Sequence, residues 1–177
     1  MKKIPTIFQR NEDYLVINNI NPICAWVFEG QGKAYRKWQG MAAMIQGQKY
    51  YRRSIIKKNQ KIPSTFILLD YDNRTGKSFG WLPVNINNQS DIYYNEAYDP
   101  NLPSGTYELI GPNVIGNKEK FYHNILMSHK AERIHNLNRT YDALKDYIAK
   151  TKIEGIVFHH DDGRMAKIKN KDFGLTR

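Results

Sequence analysis

Glu154-Gly155-Ile156-Val157-Phe158-His159-His160-Asp161-Asp162-Gly163-Arg164-Met165-Ala166-Lys167-Ile168-Lys169 is the stretch on which the reading of this chain turns. An apolar run, 154–158, leads into a turn, 159–163, that ends on glycine, and a returning strand, 164–169, follows. Side chains two apart on a strand share a face, so Met165, Lys167 and Lys169 project to one side of the returning strand and Ala166 and Ile168 to the other. By the same parity Glu154, Ile156 and Phe158 share a face of the outgoing strand, with Glu154 at its start, near the end of its partner. A carboxylate is thereby brought within reach of a lysine pair. By itself such a hairpin is equally a solvated sheet edge with a surface ion pair, an arrangement of small energetic consequence.

Outward from the hairpin, Tyr141, Leu144, Tyr147 and Ile148 fall on one face of a helix expected over Thr140–Lys152, with Lys145, Asp146 and Lys150 elsewhere. Further upstream the pattern predicts consecutive short strands at Lys33–Trp38, Met41–Gln46 and Lys49–Ser54, with Gly47-Gln48 as a two-residue turn. Phe66–Asp70 and Tyr107–Ile110 read as further strands. Helices interspersed among strands, rather than alternating with them, predict an α+β architecture with antiparallel sheets and flanking helices, not a doubly wound one. No repeat, heptad or linker interrupts the 177 residues, so a single domain over 1–177 is expected; a chain of this size buries roughly 70% of its unfolded surface.

The 41% hydrophobic and 12% aromatic content excludes intrinsic disorder. Apolar runs such as Phe66-Ile67-Leu68-Leu69 are far short of a bilayer span, so no membrane partner is expected. Met1-Lys2-Lys3 resembles a signal n-region, but no apolar h-region follows, and a cytoplasmic protein is expected. The single cysteine, Cys24, makes no internal disulfide and reads as core. With 27 Lys+Arg against 17 Asp+Glu the net charge is +10, which suits a polyanionic partner and equally suits mere solubility.

Two more features carry chemistry. In Arg36-Lys37-Trp38-Gln39-Gly40 a strand lysine precedes a glycine that would let a ligand approach the backbone closely, and Arg52-Arg53 follow Tyr50-Tyr51 on a strand two hairpins on. In Thr106-Tyr107-Glu108-Leu109-Ile110-Gly111-Pro112 a carboxylate interrupts an apolar strand, which is costly unless it binds something.

Lys37-x-x-Gly40, Glu108 in Tyr-Glu-Leu-Ile-Gly, Glu154-Gly155-Ile156-Val157 and Lys167-x-Lys169 resemble, in that order, motifs I, III, IV and V of the covalent nucleotidyltransferases, that is, ATP-dependent RNA and DNA ligases and mRNA capping enzymes. The chain is most similar to the compact RNA ligase family with phage and vertebrate members. It shares that family's Tyr107-Glu108-Leu109-Ile110-Gly111 followed by Gly116-Asn117, Glu154 to His159 with Asp162-Gly163, and Asp172-Phe173-Gly174-Leu175. It departs at Gln39, where motif I usually carries Asp.

The resemblance implies a nucleotidyltransferase (adenylation) domain and an ATP-dependent RNA ligase joining 5′-phosphate and 3′-hydroxyl RNA ends in RNA repair. Lys37 would attack the α-phosphorus of ATP to give lysyl-AMP, and AMP would pass to the RNA 5′ end before the 3′-hydroxyl attacks. Such an attack demands a neutral amine, which an ordinary lysine offers about once in 2,500 at pH 7. Lys167 and Lys169 would hold α-phosphate oxygens, Glu154 would position Mg²⁺, with Mn²⁺ as the alternative, and Glu108 would accept the ribose hydroxyls. Arg52 would contact ribose or α-phosphate, with Arg53 as the register alternative. Phe121 and Tyr122 are candidates to stack on adenine and equally fit the core; Glu96 is a candidate acidic ligand or a surface residue. The adjacent His159, His160, Asp161 and Asp162 do not share a face, which argues against a metal site. Only eight residues follow Lys169, so no C-terminal OB domain is expected and the RNA would be gripped by residues such as Arg164, Lys171, Lys57 and Lys58. The rival readings are a capping-like adenylyltransferase and a noncatalytic RNA-binding relative.

Overall fold

Strands at Phe8–Arg10 (β1), Val16–Ile20 (β2), Lys33–Lys37 (β3), Met41–Gln46 (β4), Lys49–Ile56 (β5), Ile67–Asp72 (β6), Lys77–Pro83 (β7), Gly105–Ile110 (β8), Ile125–Ser128 (β9), Arg133–Ile134 (β10), Gly155–His159 (β11) and Met165–Lys169 (β12) dominate a computed structural model that describes residues 3–176. Met1 and Lys2, part of the stretch read against a signal peptide, lie outside the described residues. The helices are short ones at Ala25–Phe28 (α1) and Ile92–Glu96 (α2) and a longer one at Tyr141–Thr151 (α3). The molecule is thus α+β with antiparallel sheets, and among the described residues no helix is long and apolar enough to cross a membrane. The residues group into two compact units, Gln39–Ser128 with Lys3, and Ile4–Trp38 with the chain from His129 on.

The second unit carries the decisive hairpin. Its four-stranded sheet has the order β10-β3-β11-β12, antiparallel throughout, beside a β1-β2 ribbon. Ala34, Ile156, Phe158, Ala166 and Ile168 face a core completed by Phe8, Trp26, Val27 and the α3 residues Leu144 and Ile148. Leu144 and Ile148, one turn apart, form the buried stripe read from the sequence, and Lys152 in the left-handed region stops the helix. Cys24 is buried in this core. The incoming chain lies parallel beside β12, Ile7 donating to the Lys167 carbonyl at 3.0 Å and Lys167 donating to that of Pro5 at 2.9 Å.

The first unit is a six-stranded antiparallel sheet, β6-β7-β5-β4-β8-β9, with Ala43, Ile45, Tyr107 and Leu109 on one face packed with Tyr94, Val114 and Leu126. β7 escapes the sequence reading because Gly80 and Pro83 depress its strand signal. Gly80 is there because a Cβ would strike the Ile67 carbonyl and the Phe66 ring of the neighbouring strand. One expectation is corrected: β3 and β4 are not successive members of one sheet. β3 pairs with β10 and β11, β4 with β5 and β8, so 38–40 joins two sheets rather than closing a hairpin.

Candidate functional site

In the Ile4–Trp38 and His129 onward unit, register gathers the predicted lysines. Gly155 on the central strand pairs with Lys37 on one side and Lys169 on the other; two residues on, Val157 pairs with Tyr35 and Lys167. Cross-strand partners share a face, so Lys37, Lys167 and Lys169 stand on the face opposite the core. Gly155 leaves the sheet bare between Lys37 and Lys169, and a Cβ there would strike the Ile168 carbonyl and Lys169 Cα.

Glu154 does not follow the face expected of it. It precedes the first ladder pair, so strand parity does not bind it, and its Oε2 lies 2.6 Å from Lys37 Nζ, which also donates to the Trp38 carbonyl at 3.1 Å. Glu154 is anchored at the strand entrance by its own carbonyl, which accepts from the Asn170 N–H at 2.9 Å. The charges of Lys37 and Glu154 both bear on Lys167, whose pKa burial pushes down, with Lys37 adding to the effect. Burial, then Lys167 and Lys171, push Lys169 down to about 8.

This depression fixes the sign of a pH effect. Between about 8 and the ordinary lysine value the unfolded chain holds a proton on residue 169 that the native one has lost, so stability rises with pH across that window. The melting temperature of wild type relative to Lys169→Met is expected to climb from pH 7 to pH 10; a difference independent of pH counts against it.

Asp172, quoted in the sequence only as part of a motif, positions Lys169. It is 1% exposed, accepts the Lys169 N–H at 2.9 Å and pairs with Arg10 at 2.7 Å. Asp172→Ala strands that N–H and removes one partner of Arg10, which keeps its bonds to the Tyr14 carbonyl and the Thr6 hydroxyl, and denaturant unfolding is expected to show a loss of about 1 to 3 kcal/mol.

In the Gln39–Ser128 unit the buried carboxylates serve the backbone. Glu108, 7% exposed, accepts the Gly40 N–H at 3.1 Å, and Glu119 accepts the Gln39 N–H at 2.9 Å. Gly40 is needed for the close approach of β8, since a Cβ would strike the Leu109 carbonyl. Met44 pairs with both Tyr51 and Thr106, which puts Arg53 on the face of Glu108. Arg52, paired with Ala43 opposite Tyr107, is on the other face, its Nε 2.5 Å from the buried Asp91 and its Nη1 donating to Ser54 at 2.7 Å. The alternation of Arg52 and Arg53 was legible; which of them shares a face with Glu108 needed the pairing.

Asn117 ties down the Phe121 backbone through its N–H and carbonyl, and Tyr122 is fully on the surface. Glu96 is exposed and accepts from Asn124 at 2.5 Å. The His159 ring meets Tyr35 and the His160 ring meets Trp26, so the two diverge. Lys57, Lys58, Lys171 and Arg164 are exposed, Arg164 against Asp162 at 2.7 Å. Among the described residues no three His, Cys, Asp or Glu side chains group to enclose a metal. Mg²⁺ is commonly held by one or two carboxylates with substrate phosphates completing its shell, and the hard oxygens of Glu154 beside Lys37, Lys167 and Lys169 fit that mode. No protein-family model matches the chain, and no match is found among curated proteins.

Proposed function

We propose that the chain is an ATP-dependent RNA ligase that works through a lysyl-AMP intermediate on Lys37. The observation that carries this reading is the gathering of Lys37, Lys167 and Lys169 on one sheet face, with Glu154 at 2.6 Å from the Lys37 amine. Three cations around one carboxylate, opposite a dry core, suit a polyphosphate far better than a surface ion pair.

In this reading Lys37 Nζ, once deprotonated, forms a bond to the α-phosphorus of ATP as the bond to pyrophosphate breaks. Lys167 and Lys169 stabilise the charge that develops on the α-phosphate oxygens. Glu154 holds the ammonium at rest and would hold Mg²⁺ with the nucleotide. When bound, the metal supplies charge neutralisation for the leaving group. AMP then passes to an RNA 5′-phosphate, and attack of a 3′-hydroxyl seals the strand and releases AMP. Glu108 and Arg53, which share a face, are the residues proposed for ribose and phosphate; Arg52, spent on Asp91 and Ser54, is structural.

Incubation with α-labelled ATP and Mg²⁺ is expected to leave acid-labile label on the protein, and a gel assay to show sealed RNA. Adenylated RNA accumulating without sealing makes the chain a capping-like adenylyltransferase instead. Salt-dependent RNA binding with no label makes it a noncatalytic relative, a reading that Gln39 favours in lacking the usual motif I carboxylate.

A further inference from the structure

Within the Gln39–Ser128 unit a cavity of about 700 Å³ opens beside the β4–β5 turn, lined among others by Lys49, Tyr50, Ile67, Ile86, Asn95 and Tyr98. It lies in the size range of ligand pockets. Glu108 pairs with Ala42 and Tyr50 with Ile45, three residues or about 10 Å further along β4. Of the residues of this unit proposed for nucleotide, neither Glu108 nor Arg53 lines the cavity.

Its lining is built around a stacked aromatic pair. Tyr50 and Tyr98 lie 5.1 Å apart at 29°. Tyr50 is anchored, its hydroxyl donating to the Tyr94 carbonyl at 3.1 Å and its ring packed on the core. Tyr98, resting on it, is 41% exposed, and Ile86 is 81% exposed. Large apolar groups held open to water around one cavity, with a rigid aromatic floor, suit a flat apolar ligand.

Charge selects which one. Among the described residues no carboxylate lines the cavity, and Lys49 does. The acids nearest in sequence are outside the lining: Asp70 accepts the Tyr71 N–H, Asp91 pairs with Arg52, Glu96 accepts from Asn124, and Asp99 accepts from Asn101. A flat apolar body attached to an anion is a nucleotide unit of a strand, with the base on Tyr98 and Ile86 and a phosphate toward Lys49. We propose that this cavity is a base-stacking subsite for single-stranded RNA, a subsite that rests on the ligase reading and adds to it where the strand is held. Stacking is tolerant of base identity, so the subsite grips the strand without reading its sequence.

The test is the binding of a single-stranded RNA carrying 2-aminopurine, beside an abasic strand of equal length and charge. Tyr98→Ala is expected to weaken binding about 5- to 150-fold, the range for losing one base–aromatic stack, and to relieve fluorescence quenching. Tyr98→Phe is expected to bind within about twofold of wild type, since the ring is kept. Ile86→Ala, at a position outside the core, is expected to weaken binding in the same direction. Abasic RNA is expected to bind weakly and to ignore both alanine variants. Equal binding by Tyr98→Ala and wild type overturns the proposal, as does equal binding of abasic and base-bearing strands. A dimer of the wild type that Tyr98→Ala dissociates also overturns it, since the face is then an interface between copies. Labelling by α-labelled ATP is read in parallel: its failure in wild type overturns the ligase reading alone, because the stacking measurement does not pass through Lys37.

Discussion

Lys37→Ala is expected to take up no label from α-labelled ATP, with the protein still folded. Loss of a covalent nucleophile costs on the order of 10⁶ in kcat where it has been measured, enough to bring labelling to background. No other amine stands in for it easily. Lys169 shares its row across Gly155 and Lys167 the next row, but it is Lys37 whose Nζ lies 2.6 Å from Glu154 Oε2 and donates to the Trp38 carbonyl. Lys37→Arg keeps the ion pair to Glu154 and is expected to be equally silent, because a guanidinium stays protonated. A thermal melt of both variants separates lost chemistry from lost fold. Label retained in Lys37→Ala at the wild-type level means the nucleophile lies elsewhere and removes the basis of the proposed function.

Phe158→Ala is expected to destabilise the second unit by about 3 to 5 kcal/mol, the range for emptying a fully buried phenylalanine site. Phe158 is on the central strand of its sheet, paired with Ala34 and Ala166, two residues too small to close over the gap. The ring also supports the Arg139 guanidinium, 5.3 Å from its centroid, which donates to the carbonyls of Val27, Gln31 and Gly32. Denaturant unfolding monitored by tryptophan fluorescence checks the loss; a change under about 1 kcal/mol means that this side of β11 is not the core. Since the lysine face is the other side of the same strand, labelling is expected to fall in parallel with the folded fraction.

These two experiments probe opposite faces of the sheet that β3, β11 and β12 share, and on β12 that division, Lys167 and Lys169 against Ala166 and Ile168, was readable from parity alone. Met41–Gln46, the Gly47-Gln48 turn, the Leu144 and Ile148 stripe, and the shared face of Lys167 and Lys169 all follow from period and turn chemistry, which are local. The short β9 and β10 and the Gly80-bearing β7 were not, because edge strands and close approaches take their identity from a neighbour.

By itself the sequence determined an antiparallel α+β chain, a lysine-bearing face on the final hairpin and a buried carboxylate in Glu108. The tertiary structure alone decided that Lys37 comes to that hairpin as the neighbour of β11, that Glu154 turns to Lys37 and away from Ile156, and that Arg53 shares the face of Glu108. Parity specifies sides within one strand. Which strands become neighbours, and in what register, is set by how their apolar faces are buried together, and that is a property of the whole chain.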